Sequence, residues 1–170
     1  MLLVACEQGG HLGQANQAAP KMQLTSPAFA ADQSIPIAFT CDGADQSPAL
    51  SWDNPPAETQ SFALIVTRLD ASPPLTHWIL YDLPPDARSL PAALPTQPFL
   101  TAGMQGKNDF GQYGYRGPCS PESEQCYSFK LYAVDTVLDL PPGATYSDIM
   151  AALAGRVLAE AELTGRYGSQ

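Results

Sequence analysis

Apolar and polar residues alternate most cleanly over 127–135. There Tyr127, Phe129, Leu131 and Ala133 are separated by Ser128, Lys130 and Tyr132. A two-residue period is the pattern of a half-buried strand. The stretch 61–67 (SFALIVT) is almost unbroken in its apolar character. It predicts a central strand covered on both faces. HWILYD, residues 77–82, predicts another, with Trp78 facing the core. Shorter strands are expected at 22–25, 35–39 and 50–52, with Pro36 marking the second as an edge or irregular strand. Between them lie breakers: the turn-rich CDGADQSP (41–48), Asn54-Pro55-Pro56, and a long irregular connection over 84–98. The period changes near the C-terminus. Thr145 and Asp148 have capping-box spacing, and Ile149, Met150, Leu153, Val157 and Leu158 follow at helical spacing. This predicts a helix over 147–159, weakened by about 1 kcal/mol at Gly155. A last strand is expected over 161–167. The sum is one mainly β domain, 22–170, with a helix packed on it.

Composition sharpens this picture. The chain has 170 residues, enough for one sizeable core. Its 17 prolines and 13 glycines favour short strands and turns over a helical bundle. The formal charge is −9, which argues against nucleic acid and against electrostatic attraction to an anionic lipid surface. The two histidines, His11 and His77, exclude a multi-histidine metal site. A Ser-His-Asp arrangement would need His77 with Asp70, and no Gly-x-Ser-x-Gly elbow accompanies them. The cysteines lack zinc-site spacing. A non-catalytic protein without metal or cofactor is therefore expected.

Residues 1–21 have the character of a tether. Leu3-Val4-Ala5-Cys6 resembles the small-residue stretch before the lipidated cysteine of bacterial lipoproteins, followed by a polar Gly/Gln/Asn/Ala linker. The expectation is a truncated lipoprotein start with lipid on Cys6 and an extracytoplasmic location, in the periplasm or at the cell surface. An unmodified Cys6 would instead imply the cytoplasm. No apolar run is long enough to span a bilayer, so membrane contact is expected only through that anchor.

Candidate chemistry concentrates in GYRGPCSP, 114–121, where glycines and prolines crowd the entrance to the 127–135 strand. Rigid loops in such places often shape pockets. Five stretches, FTCDGADQSPALSW, SFALIVTRLDASPPLTHWILYDLPPDARSLP, GKNDFGQYGYRGPCSP, YSFKLYAVDTVLDLPPGAT and VLAEAELTGRYG, together resemble the phosphatidylethanolamine-binding protein family, in its bacterial Raf-kinase-inhibitor-like branch. The resemblance runs from about Met22 to Gly168. It implies an antiparallel β-sandwich with one or two peripheral helices and a small anion-accepting pocket at one end. The pocket residues it implies are Asp70, His77, Gly117, Pro118 and Tyr127. The ligand it implies is a small anion or phospholipid head group. Its alternative is a protein-interaction module that inhibits a protease or kinase through the pocket rim.

This chain departs from the family pattern at three places. Where Asp-Pro-Asp-Ala-Pro is usual it has Arg68-Leu69-Asp70-Ala71-Ser72. Gln125-Cys126-Tyr127 stands for His-Arg-Tyr, and Gly155-Arg156-Val157-Leu158 for Gly-His-Val-Leu. The pocket is then either degenerate or retuned toward anions, with Arg68 as an added ligand, since guanidinium binds phosphate through paired N–H donors. His77 alone would also fit a structural role, bonding a backbone carbonyl. Cys119 could bridge to Cys126 or to Cys41. The resemblance implies Cys41–Cys119, which would leave Cys126 free and at least partly buried.

Overall fold

The computed structural model describes residues 21–119 and 122–169. The expected tether, with Cys6, lies outside them apart from Lys21. The main sheet has six strands in the order β2 (Gln33–Ser34), β9 (Val157–Tyr167), β8 (Gln125–Val134), β4 (Ser61–Arg68), β5 (Leu75–Leu83), β7 (Met104–Gln105). All its pairings are antiparallel except β2–β9. A second sheet of three strands, β1 (Gln23–Thr25), β3 (Leu50–Asp53) and β6 (Ser89–Leu90), covers one face. The fold is a mainly β sandwich.

The period-2 pattern sorts side chains onto these faces. Phe62, Leu64, Val66, Trp78, Leu80, Phe129 and Leu131 pack against Leu24, Leu50 and Trp52 of the small sheet. Ala63, Ile65, Ile79, Tyr81, Tyr132 and Val134 face the other way, onto Ile149 and Leu153 of the helix α1 (Tyr146–Leu153). The central strand β4 is buried on both faces, as a continuous apolar run demands.

Two expected elements are corrected. Residues 35–39 do not form a strand. After Pro36 the chain closes a short 3-10 helix, Ile37–Phe39, in which the Phe39 and Thr40 N–H groups donate to the Pro36 and Ile37 carbonyls. The helix expected over 147–159 stops at Leu153. Gly155 adopts φ 73°, Arg156 N–H bonds the Leu153 carbonyl, and Val157 enters β9 opposite Val134. The helical spacing of Val157 and Leu158 is overridden by a ladder that pairs β8 with β9 from end to end. The capping box is present: Asp148 N–H donates to Thr145 Oγ1, and Thr145 N–H to Asp148 Oδ2.

Candidate functional site

Antiparallel register brings three strand ends together. Arg68, at the end of β4, lies opposite Leu75 at the start of β5 and Tyr127 near the start of β8. Next to this corner the β4–β5 ladder is irregular: Val66 pairs with Trp78 and Thr67 with Thr76, so His77 is the extra residue of a bulge. A bulge re-aims a side chain out of the normal alternation. His77 meets Tyr127 edge-to-face at 5.3 Å between ring centroids and Phe110 at 5.1 Å.

The backbone fixes the His77 tautomer. Nδ1 lies 2.7 Å from the Arg116 carbonyl, which can only accept, so Nδ1 carries the proton. Arg116 N–H in turn donates to the His77 carbonyl at 3.0 Å. Nε2 is left as an acceptor, and it is buried without a hydrogen-bond partner. Burial is the main reason that the imidazole is held below its ordinary pKa, and the nearby Arg68 and Arg116 charges push the same way. The Arg116 carbonyl bond and Asp45 oppose them. The carbonyl bond foreseen for a structural His77 is made by Nδ1 and leaves Nε2 unused.

Arg68 and Arg116 flank the imidazole from different elements. Each has a buried Nε without a hydrogen-bond partner. Among the described residues neither guanidinium forms an ion pair. Arg116 stacks over Phe110, 4.7 Å from the ring centroid, and its Nη1 donates to Gln112 Oε1 only at 3.5 Å. Arg68 is close enough to His77 and Tyr127 to affect the acidity of both. Tyr127 is buried, its hydroxyl donating to Gln125 Oε1 at 3.1 Å. Its pKa is pushed up to about 12, chiefly by burial.

The nearby carboxylates have structural employment. Asp70 Oδ2 accepts the Cys126 N–H at 3.0 Å, extending the β4–β8 ladder beyond Leu69, whose N–H bonds the Cys126 carbonyl. Asp45 Oδ1 accepts the Gly117 N–H at 2.7 Å. Gly117 allows that approach: a Cβ there would lie 2.2 Å from the Phe39 carbonyl oxygen. The Pro118 carbonyl accepts the Cys41 N–H, beside the Cys41–Cys119 disulfide that ties the two loops. Gly117 and Pro118 therefore shape the loop through backbone contacts. Cys126 is disulfide-bonded as well, which corrects the expectation of a free thiol there; it is buried.

The structure brings Arg68, Asp70, His77 and Tyr127 to one corner. It adds Arg116, Asp45 and Phe110. The signal that could have found Arg116 is its place in Gly-Tyr-Arg-Gly-Pro, in a chain with only 8 Lys and Arg in all. Asn108 is a turn former: buried, it accepts the Phe110 and Gln112 N–H groups and donates to the Gly114 carbonyl. Asp109 bonds both backbone groups of Thr76, which anchors the Phe110 loop to β5. Among the described residues there is no cluster of three or more His, Cys, Asp or Glu side chains able to hold a metal. No described helix is long and apolar enough to cross a membrane.

A two-sheet sandwich with a histidine-centred cluster at one end of its main sheet is the frame of a small binding protein. Residues 25–168 match the model of the phosphatidylethanolamine-binding protein family. The chain belongs to that family. A UPF0098 protein of Methanothermobacter thermautotrophicus is 48% identical over 148 residues, covering 86% of this chain and 98% of the relative. A UPF0098 protein of Chlamydia trachomatis is 39% identical over 152 residues, with 86% and 98% covered. Among solved structures, the phosphatidylethanolamine-binding protein homologue CT736 from Chlamydia trachomatis superposes with a TM-score of 0.81 at 36% identity, covering 88% of this chain and 99% of that one. YbcL of E. coli, a member of the same family, gives 0.80 at 25% identity, with 89% and 100% covered.

Proposed function

We propose that this protein is a non-catalytic binder of a small anion or phospholipid head group, held at the corner where β4, β5 and β8 meet. One observation carries the reading: His77 Nε2 is buried without a partner, between two aromatic rings and beside two guanidinium groups that form no ion pair among the described residues. Of the six buried side-chain atoms without a hydrogen-bond partner among the described residues, three meet at this corner, and that clustering supports a ligand there. Family membership supports a binding role of this kind. His77 is oriented by the Arg116 carbonyl, but among the described residues no serine, threonine or cysteine side chain is hydrogen-bonded to it as a nucleophile, which favours binding over catalysis.

The location proposed is outside the reducing cytoplasm, supported by the Cys41–Cys119 disulfide. Calorimetric titration with inorganic phosphate tests the binding role. The expected result is saturable binding that His77→Ala weakens at least tenfold. Equal binding by both proteins would end this reading.

Inhibition of a protease or kinase through the rim is the second reading. Leu69 and Phe110, 39% and 40% exposed, offer an apolar edge beside the same corner. It predicts that Leu69→Ala abolishes inhibition in a panel of such enzymes without changing phosphate affinity. A panel with no inhibited member removes it.

A further inference from the structure

We propose that the corner selects a phosphate monoester that carries no ammonium group, and holds it with one proton shared between a phosphate oxygen and His77 Nε2. The proposal rests on the anion-binding reading above and specifies its ligand.

The first argument is charge. Arg68 approaches His77 from β4 and Arg116 from the loop before β8, and neither has a carboxylate partner among the described residues. The two candidate counter-charges are Asp70 and Asp45. Each already gives an oxygen to a backbone N–H, of Cys126 and of Gly117. Each keeps its second oxygen and its charge, but at His77 the Arg68 and Arg116 charges outweigh Asp45, so the ammonium of a zwitterionic head group would enter a field that two guanidinium groups dominate. The phosphate oxygens meet two forked donors, each with an unpartnered Nε–H, the arrangement that guanidinium favours.

The second argument is the proton. His77 Nδ1–H is committed to the Arg116 carbonyl, so the open Nε2 is an acceptor. A lone pair facing an anionic oxygen is repelled unless a proton lies between them. A phosphate monoester has its second ionisation near pH 6 and so can supply that proton around neutrality. A phosphodiester cannot, because it has no second proton to give. Neutral His77 thus disfavours the diester, while a singly protonated monoester donates its P–OH to Nε2 and keeps two oxygens for Arg68 and Arg116. The charged groups acting on His77 are Arg68, Arg116 and Asp45; the rings of Tyr127 and Phe110 close its sides.

The test is isothermal titration of the full chain with ethyl phosphate, dimethyl phosphate and O-phosphoethanolamine. Ethyl phosphate is expected to bind at least tenfold more tightly than either of the others. Above pH 7 it should bind with uptake of about one proton, read from buffers of different ionisation enthalpy. Arg68→Gln and Arg116→Gln should each weaken ethyl phosphate roughly tenfold, the loss of one charge-assisted contact, and should narrow its advantage over O-phosphoethanolamine. Dimethyl phosphate or O-phosphoethanolamine binding as tightly as ethyl phosphate overturns the proposal and leaves the anion site standing. Arginine variants that bind like the wild type overturn it too. No binding by any of the three refutes the anion site itself. Dihexanoyl phosphatidate and inorganic phosphate then separate a lipid monoester from free phosphate. Tighter binding of the first supports the proposal with a lipid head group as the natural form, and equal or tighter binding of the second overturns the monoester and leaves a free-phosphate site.

Discussion

The two ends of β5 treat their polar groups differently. At the far end the side-chain polar groups of Tyr81 and Asp82 are used. Asp82 accepts the Leu138 N–H at 2.7 Å and the Asp139 N–H at 3.2 Å, and the Tyr81 hydroxyl donates to the Pro141 carbonyl at 2.6 Å. At the near end His77 Nε2, Arg68 Nε and Arg116 Nε are buried and unpartnered. One strand and one core support both ends. A structural polar group satisfies itself within the chain, while a group that leaves its hydrogen bond unmade is stabilised only when something else arrives.

The largest expected effect concerns what holds the near end in shape. Replacing Cys41 and Cys119 together by serine opens a crosslink with a sequence separation of 78. The expected loss is about 4.5 kcal/mol on the chain-entropy account. Denaturant unfolding measures it, and phosphate affinity should fall as the Asp45 and Gly117 loops separate. A loss under about 1 kcal/mol would mean that the loops are held without it.

Asp82→Ala should cost about 2 kcal/mol, since it strips two backbone N–H groups of their acceptor. Phosphate affinity should not change. Altered affinity would show that the two ends are coupled, and the contrast between them would fail.

The pH dependence of stability separates the ends further. Burial holds folded His77 below 6.5, the value appropriate to the unfolded chain. Between the two values the unfolded state binds more protons, so stability falls as pH drops from about 6.5 toward the lower, folded pKa, and is constant above 6.5. In a His11→Gln background, His77→Gln should flatten this slope. An unchanged slope would place its source elsewhere.

Arg68→Gln should have the smallest effect on stability, within about 0.5 kcal/mol, because among the described residues the side chain gives up neither an ion pair nor a hydrogen bond. A greater loss would make Arg68 a structural residue.

The strands were legible where their pattern was strong. SFALIVT and the alternation after Tyr127 reappear as β4 and β8, and Thr145 with Asp148 does cap a helix. Where the local pattern failed, a nonlocal ladder had won, as at Val157 and Leu158 in β9. The membership of the corner was partly legible through the family resemblance. Its electrostatics were not. The bulge that turns His77 depends on the pairing of β4 with β5, and the neutrality of its Nε2 depends on a carbonyl 39 residues away. That Asp70 Oδ2 extends a ladder, and that Arg116 stacks over Phe110, follow from the folded loops and not from local pattern.

The most direct test of the central claim is an imidazole nitrogen NMR spectrum of His77 in the His11→Gln protein, recorded with and without inorganic phosphate at pH 7. The account predicts a Nδ1-protonated tautomer with a bare Nε2 in the free protein, and a saturable movement of the Nε2 resonance toward the protonated range as phosphate is added. An Nε2 signal that stays put through the titration, or one already protonated in the free protein, would contradict it.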